Sequence, residues 1–230
     1  PLPAVRGHVR FEEVSFAYFG RHGVLKDLTF EALPGQVIAL LPGSRVSEVK
    51  LLARPFIETA HWCQARRPGL RFIVPLVSPR LRRLFEEVLA GSSQAPDLTL
   101  VDGLGREAMI AADAVLAASG TATLEALLLK RPMVVGYRVD PLTYGLVKAL
   151  NLIKVPNVAM ANLLAGRELA PEFLQERCRA ELMGPALLEL LADGPRIAEI
   201  QETYARIHRS LRRDASREAA KALLELVGRP

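Results

Sequence analysis

The chain has 230 residues, of which 50% are hydrophobic and 24% are charged. This composition is that of a folded protein with a sizeable core, and it excludes a largely disordered chain. The net charge of +5 is compatible with an anionic ligand or an anionic membrane surface but identifies neither. The sequence has no run of about 18 continuous apolar residues, which argues against a transmembrane helix.

The two cysteines, Cys63 and Cys178, are far apart and form no CxxC motif. This pattern predicts free thiols in a reducing, cytoplasmic setting and argues against a metal site built on them. The first residues do not resemble a signal peptide and begin with Pro1 rather than methionine, so we expect a fragment of a longer protein.

The hydrophobic pattern changes after the first forty residues. Short strands are predicted at 8–11, 14–18, 24–31 and 36–41. From there, strands and helices alternate. Helices are predicted at 47–65, 79–90, 105–112, 124–130 and 141–150, and strands at 70–77, 98–101, 114–118 and 132–137, with mainly loop at 155–170. The repeated strand–helix units predict a parallel sheet with helices on both faces, followed by a helical tail.

A first glycine-containing loop, Pro42-Gly43-Ser44-Arg45, lies between a predicted strand and a predicted helix. In a parallel sheet this loop lies at the carboxyl edge, where ligands bind. Arg45 offers a forked, permanently charged donor to a phosphate, and Ser44 or Ser47 is predicted to cap the helix. The alternative is a plain turn with a solvated arginine, and this loop alone does not decide between them.

A second such loop covers residues 119–125, Ser-Gly-Thr-Ala-Thr-Leu-Glu. A glycine turn from strand to helix presents free backbone N–H groups and the positive end of the helix dipole, which suit a diphosphate. Glu125 follows Thr121 by one turn on the same face, where its carboxylate is placed for a ribose diol. The alternative is a tight turn with a surface glutamate, but two such loops at one edge favour a phosphate site.

A third polar segment, residues 162–168, contains Asn162, Gly166 and Arg167. It offers an amide and a guanidinium to a ligand at the same edge. The residues alone favour the alternative, a capped helix end. Arginine clusters at 66–67, 80–83 and 206–213 are interpreted as solvated faces, with a membrane surface as the alternative for one of them.

Four motifs together resemble lipid-A-disaccharide synthases. They are LPGSRVSE (41–48), ASGTATLE (118–125), RPMVVGYR (131–138) and NLLAGRE (162–168), in the same order and spacing. The resemblance runs from about residue 38 to the C-terminus. It implies the C-terminal half of a GT-B glycosyltransferase, an α/β fold with a Rossmann-like parallel sheet, here with a short N-terminal β appendage and C-terminal helices.

The same resemblance implies an activity. A 2,3-diacylglucosamine unit is transferred from its UDP derivative to 2,3-diacylglucosamine 1-phosphate in lipid A biosynthesis, at the inner face of the bacterial inner membrane. The implied partners are the UDP-diacylglucosamine donor, the lipid acceptor, the membrane surface and, as an open alternative, a second copy in a homodimer. No metal is implied, because basic side chains and helix dipoles offset the charge of the leaving UDP. No cofactor and no nucleic acid are implied either.

The resemblance also implies a set of substrate-binding residues. They are Gly43, Ser44, Arg45, Ser119, Gly120, Thr121, Thr123, Glu125, Asn162 and Arg167. Arg45 and residues 119–121 are implied near the diphosphate, Glu125 near the ribose, and Asn162 and Arg167 near the donor. No catalytic residue is assigned, because the half that holds the acceptor and the presumed base is not among the matching residues. Ala161 stands where a proline is expected, which is a local departure from the family pattern.

Residues 7–40 instead resemble the start of an ABC transporter nucleotide-binding domain, with Tyr18 matching the aromatic that stacks on adenine there. The phosphate loop GxxxxGK[ST] of that family does not follow Leu40. The two resemblances predict a β appendage at 1–37 joined to a UDP-sugar-binding domain at 38–230, as if pieces of two genes were combined. They leave three functions open: a glycosyltransferase, a non-catalytic nucleotide-binding remnant, and an ATP-binding fragment of a transporter.

Overall fold

The computed structural model of the protein describes residues 9–16, 25–32, 35–140, 157–212 and 214–227. The strands are β1 Val9–Phe16, β2 Leu25–Ala32, β3 Val37–Leu41, β4 Arg71–Leu76, β5 Leu98–Asp102, β6 Ala114–Ala118, β7 Met133–Tyr137 and β8 Glu172–Leu174. The helices are α1 Val46–Arg66, α2 Pro79–Ala90, α3 Gly105–Ala111, α4 Thr121–Leu128, α5 Met160–Ala165, α6 Ala180–Ala192, α7 Gly194–Leu211 and α8 Ala215–Val227.

Six of these strands form one parallel sheet in the order β5-β4-β3-β6-β7-β8. The strand β3 lies in its interior, between β4 and β6, and its residues Ile38, Ala39 and Leu40 are fully buried. An uninterrupted apolar run is what a parallel strand covered on both faces requires. The predicted Rossmann-like α/β sheet is therefore confirmed, and the apolar strand predicted at 36–41 belongs to it.

The strands β1 and β2 pair antiparallel in a separate two-stranded sheet. The chain enters the parallel sheet at Val37, so β3 places the loop that follows it at the carboxyl edge. The described parts of the strands predicted before residue 36, residues 9–16 and 25–32, therefore do not extend the parallel sheet.

Close packing of helices on the sheet depends on two glycines. A Cβ atom added to Gly136 in β7 would lie 2.7 Å from Cε1 of Phe56 in α1. An added Cβ at Gly184 in α6 would overlap the ring of Trp62, also in α1. The helices α1 and α6 thus approach the sheet and each other more closely than a larger residue at either position would permit.

Both cysteines lie in this core as free thiols. Burial raises the pKa of Cys63 to about 12 and that of Cys178 to about 11, because a thiolate would lose its hydration there. The two side chains therefore act as small apolar groups rather than as nucleophiles.

The structure differs from the sequence prediction around the second and third polar segments. The helix α4 begins at Thr121 rather than at residue 124. The helix α5 lies inside the segment predicted to be mainly loop, and it is followed by Gly166, whose φ of +67° suits glycine. The strand β8 was missed because three residues are too few for a pattern to be recognised. The helix predicted at 141–150 lies outside the described residues.

The C-terminal region is helical, as predicted. Ile200 and Tyr204 bury one face of α7 against the domain, whereas the apolar side chains of α8, among them Leu224, are exposed. Within the described ranges, none of the helices combines the length and the apolarity needed to cross a bilayer.

Candidate nucleotide-sugar site

A cleft of about 300 Å³ opens at the carboxyl ends of β3, β4 and β6. Both glycine loops line it. Its lining residues are Leu41, Gly43, Ser44, Arg45, Glu48, Pro75, Val77, Gly105, Ala118, Ser119, Gly120, Thr121, Ala122 and Glu125. The structure thus brings together all the predicted site residues of the two loops except Thr123. Binding at the carboxyl edge is expected for an open parallel sheet.

The N-terminus of α4 forms one wall of the cleft. Gly120, which precedes this helix, has a φ of +145°, and a Cβ built on it would meet only open space. Among the described residues, no side chain caps the start of α4. The first backbone N–H groups of this helix and its positive dipole end therefore remain available to an anion in the cleft.

The loop that leads into α1 also lines the cleft, and two of its backbone donors are already occupied. The carboxylate oxygen Oε2 of Glu48 accepts hydrogen bonds from the backbone N–H groups of Ser44, at 2.9 Å, and Arg45, at 3.2 Å. This is the glutamate half of a capping box, and it replaces the serine cap that the sequence predicted. The loop after β3 therefore offers a ligand the Arg45 side chain rather than these two backbone donors.

Ser119 and Thr123 use their hydroxyls within the protein. Ser119 Oγ donates to the carbonyl oxygen of Val158 at 2.9 Å. Buried Thr123 donates to the Gly120 carbonyl at 2.8 Å and accepts from the N–H of Met160 at 3.1 Å. These bonds tie the loop before α4 to the segment that leads into α5. Both hydroxyls thus fix the shape of the cleft wall, and Thr123 does not line the cleft.

Asn162 lies outside the cleft lining and is fully buried. Its Oδ1 accepts from the N–H groups of Leu169, at 2.8 Å, and Ala170, at 2.9 Å. Its Nδ2 donates to the Ala170 carbonyl at 2.7 Å and to Glu172 Oε1 at 2.8 Å. The amide thereby fixes the connection between α5 and β8, and every one of its usual bonding positions is filled from within the chain.

Arg167 also lies outside the lining residues. Its Nη2 pairs with Glu199 of α7 at 2.6 Å, and both side chains are about half exposed. The structure therefore does not bring Asn162 or Arg167 together with the two glycine loops, and their predicted contact with the donor stays a prediction.

Two carboxylates that fix loops near the cleft were given no role in the sequence analysis. Glu48 was quoted within a motif but given no role, although a glutamate at the third position of a helix is a recognisable capping signal. Glu172 accepts from the N–H groups of Val158, at 2.8 Å, and Ala159, at 3.0 Å, and thereby supports the segment bonded to Ser119. No local signal marks Glu172, because its partners are brought to it by the fold.

The charges and the apolar surface of the cleft are unevenly distributed. Among the described residues that line it, Arg45 is the single cation, and Glu48 and Glu125 are the anions. On the β4 side the rim is apolar, with Val77 58% exposed beside Pro75. The part of the cleft with Arg45 thus suits an anionic group, and the carboxylate of Glu125 suits a group with hydroxyl donors. The rim on the β4 side suits a flat or apolar group.

The fold is that of the Rossmann-like half of a GT-B glycosyltransferase. WaaG, a glycosyltransferase of lipopolysaccharide biosynthesis, aligns with a TM-score of 0.51 and 18% identity over 84% of this chain and 48% of its own. A putative UDP-N-acetylglucosamine 2-epimerase from Listeria monocytogenes aligns with a TM-score of 0.50 and 14% identity over 74% of this chain and 40% of its own. At these identities the likeness concerns the fold.

The chain belongs to the lipid-A-disaccharide synthetase family, a family of glycosyltransferases, whose model matches residues 27–227. The lipid-A-disaccharide synthase of Pseudomonas paraeruginosa is 50% identical over 197 residues, covering 86% of this chain and 50% of that protein. The enzyme of the same name from Escherichia coli O1:K1 is 48% identical over 192 residues, covering 83% and 49%. The chain therefore spans about half the length of the curated relatives it matches.

The resemblance of residues 7–40 to an ABC transporter module is not borne out. The family model already matches from residue 27, inside the segment that was compared with transporters. A short alternating strand pair followed by an apolar strand is common to many folds, so such a segment carries little information about family.

Proposed function

We propose that the chain binds the UDP portion of UDP-2,3-diacylglucosamine and forms the donor half of a lipid-A-disaccharide synthase. The observation that carries this proposal is the cleft that joins the two family motifs, 41–48 and 118–125, at one sheet edge. In this arrangement the open N-terminus of α4 and the Arg45 guanidinium bind the diphosphate, and Glu125 accepts hydrogen bonds from the ribose hydroxyls.

The chemistry expected of these groups is stabilisation of a leaving group. When the glycosidic bond to UDP breaks, negative charge grows on the diphosphate oxygens. Fixed backbone N–H groups and a guanidinium offset that charge without having to reorganise. The acceptor is 2,3-diacylglucosamine 1-phosphate, and transfer requires an acceptor site and a base that face this cleft.

The proposal has three further parts. The parallel sheet and its helices, residues 38–230, form the donor-binding domain, and residues 1–37 form a separate β appendage, which the two-stranded sheet of β1 and β2 supports. The protein works at the cytoplasmic face of the inner membrane, because both of its substrates are lipids. A homodimer is the proposed assembly.

Calorimetric titration with UDP tests the donor site. We expect one UDP per chain to bind and to raise the melting temperature as its concentration exceeds Kd. Uridine is the control, because it lacks the diphosphate and should bind much more weakly. Absence of both binding heat and thermal stabilisation at millimolar UDP would contradict the proposal.

A further inference from the structure

Glu48 makes three contacts at the mouth of the cleft. Its Oε2 accepts from the backbone N–H groups of Ser44 and Arg45, and its Oε1 accepts from Arg45 Nη1 at 3.0 Å. One carboxylate thus holds both the main chain and the guanidinium of the same residue. A side chain that only capped the helix would need the backbone bonds alone.

The burial of the pair is asymmetric. The Glu48 side chain is 16% exposed, whereas the Arg45 side chain is 79% exposed. A Cβ atom added to Gly43 would overlap the Glu48 carboxylate. The missing side chain at Gly43 therefore leaves room for this carboxylate to lie against the loop. Glu48 is therefore the fixed member of the pair, and Arg45 is a long, exposed side chain anchored at one nitrogen.

An exposed arginine loses rotamer freedom when it binds a ligand, and prior anchoring reduces that cost. A guanidinium has five N–H donors, and the contact with Glu48 uses one of them. The remaining donors allow Arg45 to bridge Glu48 and a phosphate at the same time. The negative charge of Glu48 is meanwhile offset by two backbone donors and by the dipole of α1.

We infer that Glu48 is a positioning residue, which holds the Arg45 guanidinium at the cleft wall so that it is ready to bind the diphosphate. This inference rests on the proposed function. It assigns Glu48 a role beyond helix capping. The start of α4 binds the diphosphate, and the loop before α1 holds the arginine that contacts it.

A double-mutant cycle tests this role, using Glu48→Gln, Arg45→Ala and the combined variant, with UDP and inorganic pyrophosphate as probes. Glutamine still accepts the backbone N–H bonds but loses the ionic contact to Arg45. We expect Glu48→Gln to weaken binding of both probes about two- to tenfold, because the Arg45 side chain must then be ordered when the ligand binds. The melting temperature should change little. In the Arg45→Ala background the same change should cause no further loss.

Three outcomes oppose the inference, and they are distinguishable. Unchanged or tighter binding by Glu48→Gln overturns the positioning role while leaving the proposed function intact. An equal loss in both backgrounds shows that Glu48 acts through loop structure rather than through Arg45, and the cycle shows this even if the variant is less stable. Failure of the unsubstituted chain to bind either probe overturns the proposed function and this inference with it.

Discussion

Replacing Asn162 with alanine should lower the stability of the protein by about 3–5 kcal/mol. The substitution leaves the buried N–H groups of Leu169 and Ala170 without their acceptor, at a cost of about 1–3 kcal/mol each. It also removes the bonds to the Ala170 carbonyl and to Glu172. For a chain of this length, the melting temperature should fall by roughly 6–20 °C, which differential scanning calorimetry measures.

Asn157→Ala is the matched control for this experiment, because Asn157 is a partly exposed asparagine shortly before α5. We expect that change to stay within about 0.5 kcal/mol of the unsubstituted chain. If Asn162→Ala instead lowered UDP affinity and left stability unchanged, the amide would be a ligand contact, as the family resemblance implies, and its structural role would be refuted.

Replacing Arg45 with alanine should weaken UDP binding about ten- to hundredfold. A hydrogen bond to a charged group contributes about 1.5–3 kcal/mol, and Arg45 is the single cation that the described part of the chain places in the cleft lining. The melting temperature without ligand should change little, because an ion pair that is 79% exposed on the arginine side contributes little to folding. Isothermal titration calorimetry with UDP measures the loss.

Arg83→Ala is the control for charge. Arg83 is an exposed arginine of α2 outside the lining residues, so its removal changes the net charge equally without touching the cleft. It should leave UDP affinity within about twofold, because a distant exposed charge is largely screened at physiological salt. An equal loss in both variants would mean that UDP responds to overall charge rather than to a contact with Arg45.

Much of the fold was predictable because its signals are local. The buried strands β3 and β6 are short apolar runs, and each is followed by a glycine loop and a helix. The rules of parallel sheets then place both loops at one edge without further information. The cleft follows from the same rules, which is why the residues of the two loops meet in it.

The partners of individual side chains were harder to predict. Asn162 and Thr123 are polar residues in family motifs, and the resemblance implies substrate contacts for both, although the residues alone favour a capped helix end for the segment of Asn162. In the folded chain both are buried and bonded to backbone groups. Which of these roles a polar side chain takes depends on unpaired backbone groups brought near by the tertiary fold, and the sequence does not display them.

The hydrogen-bond partners of the two glycine loops were equally hard to predict from the sequence. Each precedes a helix, and from the sequence each looks equally suited to a phosphate. In the structure Glu48 holds the backbone N–H groups of Ser44 and Arg45 in the first loop, whereas no side chain among the described residues caps the start of α4. One glutamate therefore takes up two of the backbone donors that the first loop would otherwise offer to a ligand.

Backbone amide NMR of the chain during a UDP titration tests this account most directly. We predict that the largest shifts occur at the amides of Gly120, Thr121 and Ala122, with smaller changes at Ser44, whose N–H is held by Glu48. Arg83→Ala should give the same pattern, and Arg45→Ala should give it only at higher UDP concentration. Shifts centred on the separate cavity that His61, Trp62 and Arg66 of α1 line, or shifts at Ser44 with Gly120 to Ala122 unmoved, would contradict a diphosphate site at the start of α4.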